Sequence, residues 1–170
     1  MNAEELRAVQ APIKEKYKSE PESALKTMSV TGFVQPNQTC RLDTAAGSVD
    51  AGLHPAAGGS GDEACSGDML LEALVACAGV TFSAVATAME IPIEQASITA
   101  EGDLDFRGTL GVARDVPIGF SDIRLKFDVQ SAAPQEKIDK LVQLTERYCV
   151  IYQTLRQPMD ISSTVSLKAD

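Results

Sequence analysis

The sequence has no tryptophan, a single histidine and only 5% aromatic residues. It is also short of positive charge: 15 Lys and Arg stand against 24 Asp and Glu, a formal charge of −9. A field of that sign repels nucleic-acid phosphates and anionic headgroups, so neither nucleic acid nor a membrane surface is expected as a partner. There is no CxxC pair; Cys40, Cys65, Cys77 and Cys149 are scattered, and His54 lies alone in a Gly-rich stretch. Tetrahedral zinc needs a closer set of ligands, so no metal is expected, and no motif asks for a cofactor. The run GGSG at 58–61 is followed by no Lys-Ser/Thr and is not a phosphate loop. The opening MNAEELRAVQAPIKEKYKSEPE has neither the apolar core of a secretion signal nor the acid-poor character of a transit peptide, so a cytoplasmic protein is expected. There thiols stay reduced, and each cysteine reads as a small buried hydrophobe or as a reactive group.

What the chain does have is apolar material, 44% of 170 residues, enough for one globular domain with its own core. Leu6, Val9, Ile13 and Tyr17 fall at helical spacing, which predicts an amphipathic arm over residues 1–24, with Pro12 as a kink or break. Short alternating runs between 24 and 51, parted by QPNQ and AAGS, predict a small antiparallel sheet. Residues 54–67 read as a long loop. The stretch 68–90 carries no charge from Ala73 to Met89, and a helix apolar on every side is expected at the centre of the domain. A membrane span is the alternative, but the run is short and rich in Ala and Thr, with no positive flank. Ile98, Ala100, Leu104 and Phe106 alternate with polar residues, as do Ile123, Leu125, Phe127 and Val129, predicting two long paired strands. Residues 134–155 read as one amphipathic helix and MDISSTVSLK as a final strand. The order predicts an α+β domain over residues 25–170.

Two thiols carry the candidate chemistry. Cys77 lies mid-helix among Ala73, Ala76, Ala78 and Gly79, and Cys149 follows the apolar stripe of Ile138 and Val142, so both are expected to face the interior. Cys40 reads as core. Cys65 lies just ahead of the helix, where it could be exposed, reactive or a local partner of Cys77.

The stretch SGDMLLEALVACAG at 66–79 resembles the signature that opens the central helix of the OsmC/Ohr superfamily, and ERYCVIYQTL at 146–155 is similar to its second cysteine motif. With the order of elements, the resemblance covers about residues 25–168; the helical arm and the DLDFRGTLGV segment look like those of a less characterised OsmC-like branch. The resemblance implies an OsmC-like fold, with antiparallel sheets around a buried central helix and a second Cys-bearing helix. It also implies an intertwined homodimer with active sites at the interface. The activity implied is a thiol peroxidase acting on organic hydroperoxides in oxidative stress defence. Cys77 would attack the peroxide to become a sulfenic acid, Cys149 would resolve it as a disulfide, and a small dithiol would reset the pair.

Departures from the pattern bear on that activity. Ser66 stands where the motif has Pro, Asp68 where this branch has Glu, and Gly67 where the hydroperoxide-resistance subgroup has Glu. That subgroup's activating Arg is missing from the QPNQ turn. Arg107, Arg41 and Asp68 are the candidates to supply charge, although Arg107 and Arg41 both alternate with polar neighbours and fit a wet sheet face. Without a cation, and in mid-helix, Cys77 is expected to titrate near or above the ordinary ~8.5. A non-catalytic dimeric domain binding a hydrophobic small molecule or partner is the alternative, and a redox sensor a third reading.

Overall fold

The computed structural model describes residues 1–45 and 47–167. Helix α1, Ala3–Ser19, opens on a reciprocal cap in which Asn2 Oδ1 accepts from the Glu5 amide and Glu5 Oε2 accepts from the Asn2 amide, both at 2.9 Å. Pro12 does not break it. The carbonyl one turn earlier, on Ala8, is exposed, so water can take the place of the lost amide. Of its expected stripe, Val9, Ile13 and Tyr17 remain exposed.

Strands β1 (Gly32–Gln35), β2 (Thr39–Thr44) and β3 (Gly47–Gly52) form the expected antiparallel sheet, which the two-residue β4 (Ala64–Cys65) extends in parallel. The stretch before Gly32, expected to join the first strand, is irregular and exposed, because no neighbouring segment offers its backbone a ladder. The segment read as a loop over 54–67 holds a 3-10 turn at Pro55–Ala57 as well as β4.

Helix α2, Ser66–Ala88, starts two residues earlier than expected and follows β4 without a gap. It is not buried all round. Leu74, Ala78, Phe82 and Ala86 form one buried stripe, whereas Val80 on the far side is 74% exposed. By length and composition α2 could cross a membrane; its buried stripe is instead taken up by the segments 95–103, 135–148 and 150–156. Strands β5 (Gln95–Asp103) and β6 (Asp122–Gln130) pair antiparallel, Ile98 opposite Phe127 and Ala100 opposite Leu125, and turn these side chains onto α2. β5 stops at Asp103, and Phe106–Thr109 form a single helical turn, α3, instead of the strand's end, because Asp105 caps it by accepting from the Arg107 amide.

The expected helix over 134–155 is two helices, α4 (Gln135–Tyr148) and α5 (Val150–Arg156), broken at Cys149, whose ψ of 111° is extended. Thr145 and Leu141 of α4 are buried beneath α2, while Tyr148, expected on the buried stripe, is exposed because it sits at the break. The last expected strand is irregular over its described part, 159–167. Ile161, Val165 and Leu167 keep the alternating pattern but stand exposed, Val165 by 94%, since no strand among the described residues pairs with them.

Candidate active site

The break at Cys149 builds the site. In an unbroken helix the Val150 amide would bond the Glu146 carbonyl; here the Gln153 side chain takes that carbonyl at 2.8 Å, and the first amides of α5 are released. Cys149 serves both helices at once. Its N–H still donates to Thr145 O at 2.8 Å, while its Sγ accepts from the Tyr152 amide at 3.5 Å as the cap of α5.

Cys77 comes up to this break from α2. The two thiols share one apolar cluster, Cys149 fully buried with Leu74 and Ala78, and Cys77 half-buried against them beside Ile98, Ala100, Leu125, Ile151 and Tyr152. Both cysteines are free and on the same interior, as their helical phase implied.

Their electrostatics separate. Burial pushes the Cys77 thiol up, but the polar groups around it, the Ile151 amide first, then the Cys149 thiol, the Val150 amide and the Thr81 hydroxyl, together hold it below the ordinary thiol value. Burial pushes Cys149 up; the Tyr152 amide opposes this, but the Cys77 sulfur adds to the rise, so Cys149 stays above the ordinary value. The direction of the shift is thus downward from the ordinary thiol value, although no cation of the described residues stands beside Cys77. Sequence points only to a cation or the N-terminus of the same helix as a source of that shift, whereas the amides come from a different helix, α5.

No charged side chain of the described residues is among the groups acting on Cys77. Arg107 is exposed and forked onto Asp105, Nε to Oδ1 at 3.0 Å and to Oδ2 at 3.1 Å. Arg41 is exposed on β2, between Phe33 and Asp50 of the flanking strands, beside Asp62 and Glu63. Asp68 precedes Cys77 by nine residues, which puts it on the opposite side of α2 and about 13 Å along its axis. Within this chain the structure brings together Cys77 and Cys149, and not these three. Cys40 lies half-buried on β2 rather than in the core, and Cys65 caps the start of α2, more than two turns from Cys77. His54 accepts from the Ala56 amide at 3.0 Å and stacks on Phe106, a loop role as expected.

Val150, Ile151 and Thr81 were not singled out from sequence. The β-branched pair after Cys149 was a weak cue to a break, and the four-residue spacing from Cys77 to Thr81 was legible on one helix. One prediction follows from the direction of the shifts. Cys77 is expected to be alkylated before Cys149 at pH 7, with a rate that falls as the pH drops through a midpoint below that of a free thiol. Peptide mapping after timed alkylation reads it, and a midpoint above that of a free thiol would refute it.

The profile of the family described as OsmC-like protein matches residues 59–164. No curated protein matches the sequence. Among solved structures, an OsmC-like protein from Mycoplasma pneumoniae superposes with a TM-score of 0.65 at 18% identity, covering 77% of this chain and 88% of that one. An organic hydroperoxide resistance protein OsmC from Legionella pneumophila gives 0.61 at 18%, covering 78% and 92%. The organic hydroperoxide resistance protein OhrB of Bacillus subtilis gives 0.53 at 22%, covering 78% and 93%. At these identities the likeness is one of fold.

Proposed function

The chain belongs to the OsmC-like protein family, and from that premise we propose that it is a thiol peroxidase reducing organic hydroperoxides, with Cys77 as the attacking thiolate and Cys149 as the resolving thiol. The observation that carries this is the meeting of two free thiols, Cys77 from α2 and Cys149 from the α4–α5 break, in one apolar cluster, and the direction of their shifts agrees with it. One thiol is held below the ordinary value by amide, thiol and hydroxyl donors, and the other is raised and buried beside it. Two inert core cysteines would both be raised by burial alone.

The reaction balances on these two residues. The Cys77 thiolate attacks the outer peroxide oxygen; the O–O bond breaks, the alkoxide leaves and is protonated to the alcohol, and Cys77 becomes a sulfenic acid. The Cys149 sulfur then attacks the sulfenic sulfur, and water leaves as the disulfide forms. A small dithiol reduces that disulfide by exchange. Leu74, Ala78, Ile98 and Ala100 around the thiols favour an alkyl or aryl hydroperoxide over hydrogen peroxide.

The working form in this reading is an intertwined homodimer with active sites at the interface, where the partner can supply charge to Cys77. Supporting it are the bare outer face of α2, the open edges of the β5–β6 pair and the unpaired alternating tail. We place the protein in the cytoplasm, in keeping with four free cysteines and an acidic surface.

The test is peroxide consumption under a dithiol, with cumene hydroperoxide and hydrogen peroxide side by side. Wild type is expected to turn over cumene hydroperoxide faster, and Cys77→Ser to fall to background. Absence of turnover together with a slow Cys77 would overturn the reading and leave a non-catalytic binding member of the fold. Stoichiometric oxidation without turnover would mark a redox sensor.

A further inference from the structure

We propose that Gln153 is a positioning residue for Cys149: its side-chain amide, donating to the Glu146 carbonyl, keeps the helix broken at Cys149 and holds that thiol as the cap of α5. The inference rests on the peroxidase reading for its consequence in turnover, but not for its test.

The Glu146 carbonyl has two claimants. In a continuous helix it belongs to the amide four residues on, that of Val150. Val150 makes no such bond among the described residues, and Gln153 Nε2 takes the carbonyl instead at 2.8 Å, in a half-buried place where an unmet carbonyl is costly. The main chain of Gln153 is tied to the break as well, its N–H donating to Cys149 O at 3.0 Å. One residue of α5 thus reaches back to the last turn of α4 while its own backbone stays in register with Cys149. Its side chain carries the length and the donor that this needs; an ionised glutamate lacks the donor and an asparagine the length.

What the break secures is the place of Cys149. Its N–H donates to Thr145 O at 2.8 Å, its carbonyl accepts from the Gln153 amide, and its Sγ accepts from the Tyr152 amide at 3.5 Å. The first bond belongs to α4 and the other two to α5, so the thiol keeps its buried position in the cluster with Cys77 only while the two helices meet at this break. Were the Glu146 carbonyl to lose its side-chain partner, it would draw the Val150 amide back, and the turn that brings the Tyr152 amide to Cys149 Sγ would rewind. In the peroxidase reading, a thiol held beside Cys77 meets the sulfenic acid without first having to find it. The direction of the Cys77 shift agrees, since the Val150 amide so released is among the groups that lower it.

The test compares Gln153→Met, Gln153→Ala and Gln153→His in the reduced full chain, by timed alkylation and peptide mapping of all four cysteines at fixed pH. Cys149 is fully buried, so its modification needs a local opening; Cys40 and Cys65, outside the thiol cluster, serve as internal references. Removing the donor in Met or Ala is expected to raise the rate at Cys149 relative to Cys40 by roughly three- to tenfold, the loss of one hydrogen bond that keeps the site closed. Gln153→His places a ring N–H at about the reach of the glutamine amide and is expected to follow wild type. Met and Ala ratios equal to that of wild type would overturn the proposal. So would a parallel rise at all four cysteines, the mark of a fold destabilised as a whole, and so would a His ratio raised as far as that of Met, since the side chain would then act by packing. No peroxide enters the assay, so the proposal can stand where the peroxidase reading fails, and fail where that reading stands.

Discussion

Cys149→Ser is expected to stop peroxide consumption after one equivalent per chain, leaving Cys77 as a sulfenic acid that a dimedone-type reagent captures. The serine hydroxyl can still donate to the Cys77 sulfur, and the Val150 and Ile151 amides are untouched, so the first attack survives. What is lost is the second sulfur: no disulfide can form, and a dithiol has no disulfide to exchange with. Steady turnover should fall by at least about a hundredfold, to whatever rate the dithiol reduces the sulfenic acid directly. Quantifying peroxide lost per chain in the first seconds, with mass spectrometry of the trapped adduct, separates this from a protein that never reacts. Undiminished turnover in Cys149→Ser would remove Cys149 from the mechanism, and absence of a first equivalent would mean that its sulfur is needed before resolution.

Leu141→Ala is expected to cost about 3 kcal/mol of stability, within the range for emptying a closed core site. Leu141 is 0% exposed and packs with Phe82, Ala86 and Ile91, where α4 crosses the lower half of α2. Phe82 is in turn stacked on Phe127 of β6, ring centres 5.8 Å apart, so the surroundings are held from two sides and cannot collapse fully into the void. Urea unfolding at fixed protein concentration should show a midpoint lower by about 1.5 M at an unchanged slope, taking a slope of about 2 kcal/mol per M. A loss below about 1 kcal/mol would mean that the α2–α4 contact is not the main core. The same variant should leave the early alkylation of Cys77 largely intact, because Leu141 belongs to a cluster separate from that of the two thiols.

Much of this was readable along the chain. The α+β order, the three-stranded hairpin run, the pairing of β5 with β6 and the inward phase of Cys77 all follow from local periodicity, which burial on one face imposes wherever an element is long enough. The signatures at 66–79 and 146–155 fall within the family match at 59–164. Elements whose state depends on a distant partner were misread. Residues 159–167 carry a strand's alternation and are not a strand, since alternation shows only that a segment suits a ladder, and among the described residues no strand pairs with this one. The charge-free α2 read as buried all round, yet hydrophobicity states only that a face avoids water, not which molecule covers it, and the face around Val80 is left bare.

The inward face of Cys77 was legible along the chain, since helical phase is a local property of 3.6 residues per turn. Only the tertiary structure decided what kind of thiol it is. The titration of Cys77 depends on amides more than seventy residues away along the chain, released by a break at Cys149 that an otherwise continuous amphipathic stripe concealed. Those amides act on the sulfur because packing carries α5 across to α2, and an electrostatic effect of that kind depends on distance in space, which no spacing along the sequence encodes.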